Sequence, residues 1–271
     1  MRIGIYEQHY HFEFTTTLVK IVGHHDYYVS NRLHDILAFC PDIVLFATMQ
    51  NFPWDWVRLA KVKDIKCKKL LCIHEVNTET LLNPCLRWFD GFSVVHTEMI
   101  PLLREKFRYN VHLCGKPIFN LPYMVCEEYD REKWYNPYYV VPGRIEGFRR
   151  DYSLVDGIEP LCFLGKPIGR YGKRMAKLAD KCFEDFVEQD TYEDILRGCR
   201  GIIAPLRIPT VGTNRVTKEW YLYTKSCGAF WEAVRFSKPL MSNVPFLFSY
   251  DEFMVDKWRD YFDKKVLSMW Y

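Results

Sequence analysis

The sequence predicts an α/β protein made of two parallel-sheet units that face each other across a cleft. Three observations predict it. Strand-length apolar runs alternate with helix-period stretches through residues 1–114, the pattern of βαβ units. The alternation breaks at 119–137, "FNLPYMVCEEYDREKWYNP", where prolines, charges and aromatics crowd together, and it restarts at 138. Runs such as "DIVLFA" at 42–47 are apolar almost throughout, the mark of a strand buried on both faces. The expected boundaries are 1–120 for a first unit, 121–137 for a linker, 138–249 for a second unit, and 250–271 for a helical tail packing back toward the first.

In the first unit, residues 2–6 read as a strand and 15–22 as a helix with threonines near its start. A short strand at 26–29 precedes helical spacing at 32–39 and the buried strand at 42–47. Residues 52–62 look helical, with Pro53 tolerated in the first turn. A strand at 69–74, a helix at 78–88, a strand at 91–95, a helix at 99–107 and a last strand at 111–114 complete the unit. The second unit opens with a strand at 138–141, then a helical turn near 152–155 and a strand at 160–164. A helix at 172–182, a strand remnant at 186–187, a helix at 192–199 and a strand at 201–206 follow. A polar loop at 208–216, a long helical pattern at 219–236 interrupted near Gly228, and a strand at 239–242 close it.

Composition bounds the function. Of 271 residues, 49% are hydrophobic, enough for a sizeable core and against global disorder. Aromatics at 17% fill such a core or line a ligand cleft. The net charge of +3 is too small to announce nucleic acid. Basic clusters at 61–63, 66–69 and 257–265 suit a solvated face or peripheral contact with an acidic membrane surface. The 10 cysteines are scattered without a Cys-x-x-Cys pair, which argues against a zinc centre and for buried free thiols in a reducing compartment. The start "MRIGIYEQ" is too short and polar for a signal peptide, and no run approaches a membrane span. A soluble cytoplasmic protein is expected.

The motif that carries chemistry is "VVPGRIEGFRRD", 140–151. An apolar run stops at Pro142-Gly143, and Arg144, Arg149 and Arg150 follow. Ordinary surface arginines are one reading. An anion site is the other, because the guanidinium fork matches phosphate. Lys166 follows "LCFLG" and Arg207 follows "IIAPL", so three strands each deliver a cation just past a carboxyl end. Open α/β sheets bind ligands at that edge.

The same residues resemble a known pattern. "VVPGRIEGFRR" is similar to the stretch opening the second domain of GT-B glycosyltransferases, in particular family 4. "LCFLGKP", "YEDILRGCRGIIAPLR" and "GAFWEAVRFSKPLMSN" resemble later strands and helices of that domain. The resemblance implies two Rossmann-like domains and a nucleotide sugar, such as a UDP- or GDP-sugar, as donor. It implies a glycan, lipid-linked or protein acceptor, retention of configuration, and neither cofactor nor metal. Gly143, Arg144 and Arg150 stand where the family holds the donor diphosphate. Arg149, off that spacing, is expected to point to solvent. Glu232 matches the second glutamate of the Glu-x7-Glu motif, which contacts the ribose. The first falls at Thr224, which supplies no carboxylate, and "EQHYHFEF" replaces the family's glycine-rich loop.

Roles follow residue by residue. Arg144 and Arg150 would stabilise the departing diphosphate, and His74, ending "LLCIH", would orient the sugar or position a hydroxyl. Lys166, Arg207 and Lys225 would add donor contacts, Lys225 beside helical amides. Glu232 would hold the ribose or pair with a nearby cation. His9 and His11 in "HYHF", and His96 and Glu98 in "VVHTE", would gather on the acceptor side. No third ligand accompanies His9 and His11 by spacing, so a metal is not expected there. "GKPIGRYGK", 165–173, fails the P-loop pattern, with Pro167 at the first glycine position and Arg174 after Lys173. The rival readings are a non-catalytic relative that binds a nucleotide, polysaccharide or protein, and another enzyme of similar architecture such as a nucleotide-sugar epimerase.

Overall fold

The computed structural model describes residues 1–7, 12–47, 60–76, 84–126, 134–211, 218–223, 225–246 and 248–271. The chain forms two compact units. One comprises Met1–Tyr123, Leu222–Ser226 and Met254–Tyr271, the other Met124–Tyr221 and Cys227–Phe253.

The first unit is built on a sheet of order β2-β1-β3-β4-β5-β6, every pairing parallel. Its strands are β1 Arg2–Tyr6, β2 Asp26–Ser30, β3 Ile43–Phe46, β4 Lys68–Ile73, β5 Gly91–Val94 and β6 Ile118–Asn120. Their sequences follow their positions. Central β3, "IVLF", is buried throughout, and edge β2, "DYYVS", is largely exposed. Helices α1 Phe12–Val22, α2 Leu33–Ala38 and α3 Met99–Phe107 accompany the sheet. On α1 the fully buried residues are Phe14, Leu18, Ile21 and Val22, an apolar stripe at helical spacing. The segment Met254–Tyr271 also belongs to this unit. It carries α7, Val255–Tyr261, and a π-helical turn, Phe262–Val266. Phe262 and Val266 are fully buried, and Arg259 Nε donates to the Lys20 carbonyl at 3.0 Å, capping the end of α1.

The second unit has a sheet of order β13-β10-β7-β8-β9, again parallel. Its strands are β7 Tyr139–Pro142, β8 Leu161–Leu164, β9 Lys181–Cys182, β10 Gly201–Ala204 and β13 Leu240–Ser242. A short antiparallel ribbon pairs β11 Thr210–Val211 with β12 Lys218–Glu219. The helices are α4 Gly169–Met175, α5 Gln189–Gly198 and α6 Gly228–Arg235. One face buries Val141, Ile145, Tyr152, Val155, Leu161, Phe163 and Ile203 in a single cluster. Strand β7 comes first in this unit and lies in the middle. The chain lays β8 and β9 on one side of it, then β10 and β13 on the other. The topological switch point therefore falls between β7 and β10.

Several elements differ from the sequence expectation. Residues 111–114 form a turn, because the Asn110 side chain accepts from His112 N at 3.0 Å and its carbonyl accepts from Cys114 N. The last strand is Ile118–Asn120 instead. The helix expected at 172–182 runs Gly169–Met175, and Lys181–Cys182 pairs with β8 as the edge strand, leaving no strand at 186–187. The Asp180 carboxylate fixes that entry by accepting from Leu161 N at 2.8 Å. The pattern at 219–236 is not one helix. Glu219 pairs with Thr210, Leu222 takes a left-handed φ of 71°, and the helix starts at Gly228. The ribbon strand Thr210–Val211 lies within the stretch expected as loop. Most of the helices expected at 52–62 and 78–88 lies outside the described residues, and the described ends, Ala60–Asp64 and Pro84–Trp88, are 3-10 turns. All ten cysteines are free; six are buried, whereas Cys40 and Cys114 are exposed. Among the described residues no helix is long and apolar enough to cross a membrane.

Candidate functional site

Three adjacent strands, β10, β7 and β8, send loops from the same carboxyl edge of the second sheet. These loops are tied together by backbone. Ile145 bridges to Pro167, Arg150 bridges to Leu206, and Arg207 N donates to the Arg149 carbonyl at 3.0 Å. The β7 loop turns at Gly143, whose φ of 88° a side chain rarely tolerates. Gly165 lets the β8 loop come close: a Cβ there would lie 2.2 Å from the Gly143 carbonyl oxygen. The expected cations Arg144, Arg150, Lys166 and Arg207 thus project from loops at one edge, on both sides of the switch point.

Their environments differ. Arg144 is exposed, as is Arg207. Lys166 is held by Asp185, Nζ to Oδ1 2.7 Å, and this bond and the Lys166 charge hold the Asp185 carboxyl below its usual range. Arg150 is half-buried, and Nη2 donates to the Pro142 carbonyl at 2.6 Å. Its Nη1 is buried with no hydrogen-bond partner among the described residues. Two buried phenols feel its charge. Burial pushes Tyr152 and Tyr221 up to about 12, and Arg150 pulls against both shifts. Arg149 does not point freely to solvent as expected. Its Nε lies 3.7 Å from the carboxylate of Glu146, which is buried. Glu146 N in turn donates to the Tyr152 hydroxyl at 3.1 Å.

Glu232 lies on α6, half-buried, and accepts a hydrogen bond from the Tyr192 hydroxyl of α5 at 3.3 Å. Lys225 has its own partner. It is buried in the first unit, where Nζ pairs with the Glu75 carboxylate. Thr224 lies outside the described residues, as do His9 and His11.

The first unit's carboxyl edge gathers its own polar groups. His74, just past β4, is 4% exposed and lies edge-on to Phe14 and Tyr123, with ring centroids 4.8 and 5.2 Å away. His96, past β5, meets Ser226 Oγ at 2.9 Å. Burial drives its pKa down to about 3, so the ring stays neutral. Glu98 is exposed at the start of α3. Sequence reasoning missed Glu7, which follows β1 and is 4% exposed. It accepts from Thr15 Oγ1 at 3.1 Å. A carboxylate directly after the strand "RIGIY" was the available signal.

No protein-family model matches the chain, and no curated protein matches it. Solved structures do. "Lipopolysaccharide outer core galactosyltransferase WaaB apo form" superposes with a TM-score of 0.54 at 11% identity, covering 99% of this chain and 100% of that one. "Crystal structure of GtfA/B complex" matches with a TM-score of 0.46 at 12% identity over 78% of this chain; the chain spans 44% of that longer one. Two parallel sheets with flanking helices, and the full-length match to a glycosyltransferase structure, establish a GT-B-like fold of two Rossmann-like units.

Proposed function

We propose that the protein is a glycosyltransferase that moves a sugar from a nucleoside-diphosphate sugar to a glycan, lipid-linked or protein acceptor, with retention of configuration. The observation that carries this reading is the Arg150 guanidinium. It is fixed by the Pro142 carbonyl at 2.6 Å while its buried Nη1 has no partner among the described residues. A buried cationic N–H that finds no acceptor is costly, and a phosphate oxygen is the acceptor its shape suits best. Its position at the switch point of a parallel sheet is where such folds bind nucleotides. Arg144 and Arg207, both exposed on neighbouring loops, add charge.

In this reading the arginines act on the leaving group. As the glycosidic bond to the diphosphate lengthens, negative charge grows on the phosphate oxygen, and preplaced guanidinium groups stabilise it. Glu232 receives ribose hydroxyls. The neutral ring of His96, the ring of His74 and the Glu7 carboxylate serve acceptor and sugar positioning. Retention and the ribose role rest on the resemblance of "VVPGRIEGFRR" and "GAFWEAVRFSKP".

The test is a panel of UDP-, GDP- and other nucleotide sugars, scored for thermal stabilisation and for slow hydrolysis of the donor. One donor should raise the melting temperature and release its nucleoside diphosphate. Stabilisation without any release, with acceptors supplied, would favour the non-catalytic relative. No stabilisation by any nucleotide would remove the donor-site reading.

A further inference from the structure

A second cluster lies in the first unit at the amino end of β2, opposite the carboxyl edge of the sheet. His24 and His25 follow the end of α1, and His25 N donates to the Val22 carbonyl at 2.8 Å. Adjacent side chains usually diverge, yet these two rings lie side by side, with centroids 4.0 Å apart. Both turn Nε2 toward one carboxylate. His24 Nε2 is 2.8 Å from Asp263 Oδ2, and His25 Nε2 is 2.9 Å from Asp263 Oδ1. One ligand atom from each residue lies within 4.8 Å of the others. Asp263 is 239 positions from His24 in sequence, so no local turn preference brings them together.

A second observation concerns the backbone that presents Asp263. It sits in the π-helical turn Phe262–Val266. Such turns are rare and gather at functional sites. Here Phe262 and Val266 stay fully buried, while Asp263, between them, is turned to the imidazole pair.

We propose that His24, His25 and Asp263 form a binding site for a divalent zinc-class ion, with solvent completing the coordination, that fastens the segment 254–271 to the end of α1. Two imidazoles and a carboxylate are the donor set that suits such an ion. One ligand atom from each of the three residues already lies within 4.8 Å of the others, so short side-chain shifts bring them to the roughly 3.3 Å spacing that ligands about 2.0–2.1 Å from a tetrahedral centre require. The ligands are partly exposed, so an ion can enter from solvent. Without a metal, the same geometry is satisfied by two Nε2–H groups donating to the carboxylate, and the experiment separates the two cases.

Tag-free full-length protein, stripped with EDTA and dialysed, is titrated with Zn2+ by calorimetry, and its melting temperature is followed. The expected result is one equivalent bound, with a rise of roughly 5 °C or more at a hundredfold excess over Kd. Asp263→Asn keeps an oxygen acceptor for the imidazoles but loses the anion. It should weaken zinc at least tenfold, and His25→Gln should do the same. Cobalt(II) added to the parent should give a visible spectrum of nitrogen and oxygen ligation, without the intense thiolate bands that cysteine coordination would give. Absent binding, unaltered binding in both variants, or a thiolate spectrum would each overturn the proposal.

Discussion

Arg150 turns back across its own loop and donates from Nη2 to the Pro142 carbonyl at 2.6 Å. Gly143, between them in sequence, makes room: a Cβ there would stand 2.9 Å from that same Nη2. The guanidinium is therefore positioned by main chain before any ligand arrives. Arg150→Ala should lower turnover about a hundredfold or more, and Arg144→Ala should act in the same direction. Arg150→Lys should keep part of the activity, since it supplies charge without the fork. Steady-state rates on the donor found by the panel decide this. Parent-like rates in both alanine variants would sink the donor-site reading.

Arg149 should behave differently from its neighbour. Removing it leaves the buried Glu146 carboxylate without the guanidinium 3.7 Å away. Arg149→Ala should thus lower stability, by about 1–3 kcal/mol, while the turnover of the folded fraction changes little. Urea unfolding run beside the rate measurement separates the effects. A large rate loss at unchanged stability would place Arg149 in contact with the donor.

Gly165→Ala tests the joint between loops. The new Cβ would fall 2.2 Å from the Gly143 carbonyl oxygen, a main-chain atom that cannot rotate aside. The β7 and β8 loops must then part, at a cost of about 1–3 kcal/mol, and nucleotide affinity should fall with it. A variant as stable and as tightly binding as the parent would show that the loops need not touch.

Glu232→Gln retains an oxygen that can accept from Tyr192, which lies 3.3 Å away. The melting temperature should scarcely move. Loss of a charged hydrogen bond to ribose should weaken nucleotide roughly tenfold. A lowered melting temperature with unaltered affinity would make Glu232 a structural partner of α5.

His96 predicts a pH dependence. Burial lowers its pKa from 6.5 to about 3, so below pH 6.5 the unfolded chain takes up a proton that the native state refuses. The contribution is fully present above the unfolded value and is lost as pH falls toward the folded one. Between pH 6.5 and about 3, stability should therefore drop, with a limiting slope of ~1.4 kcal/mol per unit. His96→Gln should flatten that slope in urea titrations; an equally steep slope in the variant would assign it elsewhere.

Much of the fold was legible because its signals are local. Strand Arg2–Tyr6 and helix Met99–Phe107 fall where apolar spacing put them. Errors came where a distant partner decides. Glu219 has helical neighbours in sequence, but Thr210 draws it into a ribbon. Lys181–Cys182 reads as the end of a helix until β8 claims it as an edge. The same holds for the sites. A turn followed by arginines is visible in one dozen residues, whereas the Lys225–Glu75 pair spans 150 positions. The orientation of Arg149 depended on Glu146, three residues earlier, which the spacing argument ignored.

The assignment of Leu222–Ser226 and Met254–Tyr271 to the first unit has a consequence for biosynthesis. Ribosomal synthesis completes the second unit, Met124–Tyr221 and Cys227–Phe253, before the first has all of its parts. Until residues 254–271 emerge, α1 lacks the Arg259 side chain that caps its final turn, and Phe262 and Val266 are missing from the surface they bury against. The first unit must wait, with that apolar surface uncovered, until its last residues are made. A released chain truncated after Phe253 should therefore hold a protease-sensitive first unit and a protected second unit, the reverse of the order in which they were begun.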